Sequence, residues 1–240
     1  MDLINRIEKY WTERSDEFCN LRISEINSNK RNLWIEVISK NLPQDKKLRI
    51  LDVGTGTGFL AILMASLGHD VVGIDLTEAM INGANKTSHL LNYNIDFKVM
   101  DAQNLSFEDN YFDVVISRNL TWTLPDVKKA YKEWYRVLKH NGRLLNFDGD
   151  YGQVSFSNQV KTLDANHAHV GIKNSILKEC DDIKNNLDIS MQARPKWDTK
   201  ILNQIGFSSC KIDNTISEKI YSTQDEFCNP TKMFGIYAIK

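Results

Sequence analysis

Residues 48–58 read LRILDVGTGTG, and residues 71–75 read VVGID. Ile50, Leu51 and Val53 form an apolar run of strand length, as a parallel strand buried on both faces requires. Glycines at 54, 56 and 58 open backbone angles closed to other residues. They also let the main chain approach a ligand with no Cβ in the way. Phe59-Leu60-Ala61-Ile62-Leu63-Met64 is apolar on nearly every side, as a helix packed on a sheet must be, and Gly68 supplies its stop. The second apolar run ends at Asp75. A carboxylate at that strand tip can accept two hydrogen bonds from the hydroxyls of a ribose. The strand–helix–strand unit therefore points to a nucleoside-bearing small molecule.

The alternation extends outward from this unit. Residues 1–45 read as helices, with Ile4, Ile7 and Trp11 on one face and Leu33, Trp34, Val37 and Ile38 in a second stripe ended by Pro43. Thr77 caps a helix over residues 78–91. Ile95, Phe97 and Val99 alternate with polar residues, as in an edge strand. Residues 112–117 (FDVVIS) form a buried strand. Ala130, Trp134, Val137 and Leu138 recur at helical spacing, and Asn141-Gly142 turns into the strand 143–147. This order predicts an α/β fold with a doubly wound sheet and right-handed crossovers. Residues 149–198 are more polar and less periodic, and read as a mostly helical insertion over the strand ends. Residues 199–240 hold two strands near 207–212 and 234–239, consistent with an antiparallel closing hairpin. The whole reads as one domain: helical cap 1–45, ligand-binding core 46–148, insertion 149–198 and hairpin 199–240.

The 240 residues carry a net charge of -1, with 25% charged and 42% hydrophobic residues. That composition is ordinary for a soluble globular domain and gives no electrostatic footprint for nucleic acid. No apolar run approaches the length of a bilayer span, and the start MDLINRIEKYW is too charged for a secretory signal, so the expected compartment is the cytoplasm. Cys19, Cys180, Cys210 and Cys228 are scattered without a C-x-x-C, which predicts free thiols and no metal site.

The glycine spacing distinguishes two ligand classes. A dinucleotide loop reads G-x-G-x-x-G/A, but the third place counted from Gly54 is Phe59. Asp52 followed by alternating glycines instead resembles motif I of the class I S-adenosylmethionine (SAM)-dependent methyltransferases. The resemblance covers residues 47–148 and implies a seven-stranded Rossmann-like sheet. It implies SAM as cofactor, S-adenosylhomocysteine as product, and a cofactor site built on Asp52, Gly54, Gly56, Gly58, Asp75, Leu76 and Met80. Asp101 and Ala102 would face the adenine, and Arg118, Asn119 and Leu120 the methionine end. Residues 134–143 (WYRVLKHNGR) resemble the family's W-R-V-L-K-P-G-G segment but depart at His140 and Asn141. Tyr10, Trp11 and Arg14 resemble a Y-W-x-x-R segment that folds over the cofactor in a bacterial subgroup, so Arg14 would meet the SAM carboxylate. Residues 194–198 (RPKWD) resemble that subgroup's R-P-x-W-D segment.

Methyl transfer from a sulfonium is an in-line displacement with an already activated leaving group, so no catalytic residue can be named with certainty. His167 and His169 are the candidate bases. Trp122, Asp148, Asp150 and Tyr151 after the strands, with Arg194 and Trp197, are the candidate acceptor contacts. The expected reaction is methylation of O, N or S on a small-molecule acceptor. Oxidoreductase activity with NAD(P), or SAM binding without catalysis, are the rival functions. Oligomeric state is not legible.

Overall fold

The run Ile50–Val53 fills the centre of the sheet, where both strand faces are covered. A computed structural model describes the chain except for Met1, Asp45, Asp164, Asn166, Gln224 and Asn229. In chain order its elements are α1 (Leu3–Ile26), α2 (Lys30–Ser39), β1 (Arg49–Val53), α3 (Phe59–Ser66), β2 (Asp70–Asp75) and α4 (Glu78–Leu90). Then come β3 (Asp96–Val99), β4 (Phe112–Arg118), a 3-10 turn at Thr121–Thr123, α5 (Val127–Val137) and β5 (Leu138–Gly149). The last are α6 (Phe156–Gln159), α7 (Asn174–Asn185), α8 (Lys196–Ile205), β6 (Ser209–Asp213), α9 (Ile216–Ile220) and β7 (Met233–Ile239).

The seven strands lie in the order β3-β2-β1-β4-β5-β7-β6. β1 to β5 pair in parallel, and β7 runs antiparallel to both β5 and β6. β7 therefore inserts between β5 and β6, and the polar stretch before it carries α9. The strand order reverses between β1 and β4, and crevices outside the carboxyl ends of strands at such a reversal bind ligands. Alternate residues feed two cores. Leu51, Val53, Val115 and Leu144 face α5 residues such as Tyr131 and Trp134, while Ile50, Val114, Ile116 and Phe147 face Trp34 and α3.

Local chemistry explains the element ends. Thr77 caps α4 by accepting from Met80 N at 3.3 Å. At the end of α3, His69 N bonds Met64 O and Gly68 N bonds Ala65 O, the paired bonds of a Schellman stop. Leu138 is not part of helix α5, which ends at Val137; it opens β5. Asn141 then takes a φ of 62°, supplying the left-handed turn for which the related segment uses glycine. The insertion is helical, through α6, α7 and two 3-10 turns. Cys19, Cys180, Cys210 and Cys228 are free thiols. Among the described residues no helix is long and apolar enough to cross a membrane, and no three ligand-type side chains group around a point.

Candidate active site

Two cavities open at the carboxyl ends of the strands, and they share Trp11, Phe18, Arg22, Arg118 and Asn119 in their walls.

The first cavity lies over the glycine loop. Gly54 and Gly56 hold φ at 66° and 53°. A Cβ on Gly54 would lie 2.7 Å from the Leu120 side chain, whereas one on Gly56 would meet nothing within 4 Å. Two buried acids hold this loop in place. Asp52 Oδ2 accepts from Thr55 Oγ1 at 2.6 Å and from Ala61 N at 3.0 Å, so it ties the loop to an unpaired amide in the first turn of α3. Burial pushes its pKa up to about 7, against those two hydrogen bonds. Asp75 Oδ2 accepts from Gly56 N at 3.0 Å, and Oδ1 accepts from Thr77 N at 3.0 Å and Thr77 Oγ1 at 3.1 Å. Burial raises the Asp75 pKa, and these donors oppose the rise. A carboxylate offers about four acceptor directions, so Asp75 retains capacity toward the cavity it borders. Asp101 Oδ1 accepts from Gln103 N at 2.9 Å, which fixes a tight turn beside Ala102. Leu76, Met80, Ala102 and Leu120 supply apolar wall.

The first cavity thus collects Trp11, Asp52, Gly54, Gly56, Asp75, Leu76, Met80, Asp101, Ala102, Arg118, Asn119 and Leu120, twelve of the fifteen residues expected to hold the cofactor. It does not collect Gly58, Tyr10 or Arg14. Gly58 starts α3, where a Cβ would press on Phe97 and Ala84. Tyr10 and Arg14 border instead the second cavity, which α1 and α7 both help to line.

The second cavity is lined by side chains from α1, the 3-10 turn after β4, the insertion and the segment before β7. Trp122, Tyr151 and Phe156 pack their rings together at 5.1, 5.4 and 5.6 Å, and Trp11 meets Trp122 edge-on at 6.3 Å. Asn119 stands between the two spaces with a φ of 54°. Its carbonyl accepts from Trp122 Nε1 at 3.0 Å, and its Oδ1 accepts from the Tyr151 hydroxyl at 3.3 Å. Both histidines reach this cavity. His167 Nδ1 accepts from His169 N at 3.0 Å, which leaves Nε2 to donate to Cys228 O at 2.6 Å. Both of its ring nitrogens are engaged, so it is not poised as a base. Burial pushes His169 down to about 3, with His167, Arg14 and Arg22 adding to the effect.

Arg194 and Trp197, expected to contact the acceptor, border neither of the two cavities. Arg194 is buried in a polar cluster: Nη1 meets Asp148 Oδ2 at 3.2 Å, Nη2 meets Asp198 Oδ1 at 2.9 Å, and Nη2 donates to Thr121 Oγ1 at 2.6 Å. Asp148 belongs to this cluster and borders neither cavity. It accepts from the Thr121 hydroxyl and from Trp122 N at 3.0 Å, and so fixes the turn that carries Trp122. Trp197 packs on the core beside α5.

Residues 51–146 match the model of the methyltransferase domain family. That segment is similar to a methyltransferase domain and makes up less than half of the chain. It is 36% identical over 121 residues to the ubiquinone/menaquinone biosynthesis C-methyltransferase UbiE of Rickettsia prowazekii, covering 47% of this chain and 48% of that protein. It is 36% identical over 138 residues to phosphoethanolamine N-methyltransferase 2 of Caenorhabditis elegans, covering 57% of this chain and 31% of that protein. The methyltransferase domain therefore accounts for the match, and the chain spans about half or less of these relatives. Its fold resembles that of Haemonchus contortus phosphoethanolamine N-methyltransferase 2 in complex with SAM, with a TM-score of 0.62, 21% identity, and coverage of 87% of this chain and 52% of that chain.

Several residues in or beside the cavity walls had no motif to mark them. Phe18, Arg22 and Glu25 continue the stripe of Ile4, Ile7, Trp11 and Arg14 at three- and four-residue spacing, and that continuation was the available signal. Glu25 is fully buried and bonds Arg22 and Arg118; its Oε1 lies 2.9 Å from Arg118 Nη2. Burial alone would raise the Glu25 pKa, but the two arginines outweigh it and hold the pKa low.

Proposed function

We propose that this chain is an enzyme that moves the methyl group of SAM onto a small-molecule acceptor and releases S-adenosylhomocysteine. The first cavity suits SAM by its chemistry. Asp75 has acceptor capacity for the ribose hydroxyls. Leu76 and Ala102 offer apolar faces for adenine, with Asp101 beside them. Arg22 and Asn119 stand at the opposite end, toward the methionine moiety. Thr57 Oγ1, at the cavity wall, is buried with no partner among the described residues.

The observation that carries the proposal is the shared wall. A ligand in the first cavity has its far end at Trp11, Arg118 and Asn119, and the aromatic second cavity begins at those same residues. An acceptor held there approaches the methyl group from outside the cofactor site, as in-line displacement needs. Alignment of this kind can supply roughly 7–11 kcal/mol of the barrier. A base is required only for a nucleophile that keeps its proton. The relatives include a C-methyltransferase and an N-methyltransferase, so carbon joins O, N and S among the acceptor atoms to be tried.

The test is release of S-adenosylhomocysteine from SAM across a panel of aromatic acceptors with O, N, S or activated-carbon nucleophiles. Turnover with any of them supports the proposal. Tight SAM binding with no turnover anywhere favours a non-catalytic SAM-binding protein. Binding of NAD(P) in place of SAM favours an oxidoreductase.

A further inference from the structure

We infer that the acceptor carries an anionic group, a carboxylate or a phosphate, on an apolar aromatic body, and that Arg14 holds this group in the second cavity. The inference rests on the methyltransferase reading and narrows its substrate class. Its basis is charge. Arg14, Arg22 and Arg118 all border the second cavity, and their side chains are only 7%, 12% and 7% exposed. One fully buried carboxylate, Glu25, serves both Arg22 and Arg118. Arg14 is served differently. Its Nε meets Glu17 Oε2 at 3.1 Å, but Glu17 is 58% exposed and screened by solvent. Its Nη1 donates to the neutral Tyr10 hydroxyl at 3.2 Å. Its Nη2 bonds nothing among the described residues. Glu226 also borders the cavity and pairs with none of the three.

Buried cations need a matching anion, and of the three arginines only Arg14 relies on a solvent-exposed carboxylate. Arg22 reaches both cavities and can serve a carboxylate on the cofactor. Arg14 reaches only the second, so the anion it lacks has to arrive with the acceptor. Guanidinium groups favour carboxylate and phosphate because two parallel N–H donors match two oxygens. His169 fits this picture: it stays neutral beside the two arginines and adds no competing charge. The clustered rings of Trp122, Tyr151 and Phe156 supply the apolar surface for the rest of the ligand.

The experiment uses the full chain saturated with S-adenosylhomocysteine and three probes of like shape: 2-naphthoate, 2-naphthyl phosphate and 2-naphthamide. Titration calorimetry measures each. The anions are expected to bind at least about tenfold more tightly than the amide, the scale of a hydrogen bond to a charged group. The better anion identifies the headgroup. In Arg14→Gln that preference is expected to vanish, in Arg14→Lys to survive in part, and in both the S-adenosylhomocysteine affinity stays at the wild-type value. Equal binding of anion and amide by the wild type, binding of none of the three, or a preference undiminished in Arg14→Gln overturns the inference. So does a loss of S-adenosylhomocysteine affinity in Arg14→Gln, which would place Arg14 on the cofactor. The wild-type comparison stands even if a variant fails to fold. Failure of the underlying reading shows separately, as wild-type protein that does not bind S-adenosylhomocysteine at all.

Discussion

The two cavities are built by different means. The first is made largely of backbone bends and short acids drawn from the strand tips, and its ionisable wall is dominated by Asp52, Asp75 and Asp101. The second is made of long side chains drawn from α1, the turn after β4, the insertion and the segment before β7, and it holds Arg14, Arg22 and Arg118. A site for one invariant ligand can be set by hydrogen bonds between neighbours in the chain, such as Gly56 N to Asp75. A site that must suit one acceptor among many is assembled from distant segments that can change independently. The contrast also assigns the polar cluster under the second cavity. Arg194, Asp148 and Asp198 border neither cavity and support the turn that carries Trp122.

That assignment carries the largest expected effect. Arg194→Ala leaves Asp148 and Asp198 buried without their cation. The expected loss is about 3–5 kcal/mol of unfolding free energy by denaturant titration. A variant of wild-type stability with only a weakened acceptor KM would return Arg194 to the ligand surface. Asp75→Ala tests the first cavity next. It should weaken S-adenosylhomocysteine binding by about 1.5–3 kcal/mol in calorimetry, while 2-naphthoate binding to cofactor-saturated protein changes little. Unchanged cofactor affinity would count against the ribose contact.

The same contrast explains what the sequence could disclose. Everything around Asp52, Gly54 and Asp75 was legible because the partners lie within a short strand–helix–strand unit, where spacing alone sets geometry. The parallel strands, the edge position of β3 and the Thr77 cap followed from periodicity and capping chemistry for the same reason. Tyr10 and Arg14 border the second cavity and not the first; a helix places successive residues about 100° apart, and only the packing of α1 on its neighbours decides which space each side chain enters. A charged residue in a motif looks the same whether it faces a substrate or a buried acid, so the pairing of Arg194 with Asp148 and Asp198 was not legible. The pairing of Glu25 with Arg118 joins residues 93 positions apart, and no local pattern records it.

Gly54 and Gly56 separate the two kinds of constraint within one loop. Each holds a left-handed backbone, so alanine at either costs about 1–2 kcal/mol of stability. At Gly54 the new methyl also meets Leu120 at 2.7 Å, while at Gly56 it enters open cavity. Gly54→Ala should therefore be the less stable of the two by denaturant titration, because Leu120 has to move. Gly56→Ala should keep more stability and lose cofactor affinity, because its methyl occupies ligand space. The reverse ranking of stability would show that Leu120 yields freely and that the loop is looser than its hydrogen bonds suggest.

A pH-dependent effect lies in the acid beneath that loop. Asp52 is buried, and burial raises its pKa to about 7 in the folded protein, against about 3.9 in an unfolded chain. Between these two values the folded state binds the proton and the unfolded state does not. Folding is then favoured at the low end of the window and loses stability as pH rises toward 7, with a slope of at most about 1.4 kcal/mol per pH unit from this group. Above pH 7 both states are ionised and the contribution levels off. Asp52→Asn removes the titration. Between pH 5 and 7, unfolding free energies of the variant should therefore fall less steeply than those of the wild type, and above pH 7 the two profiles should run parallel. Parallel profiles across the whole range would mean that the Thr55 and Ala61 donors keep Asp52 ionised throughout, and that this loop is held by a charge.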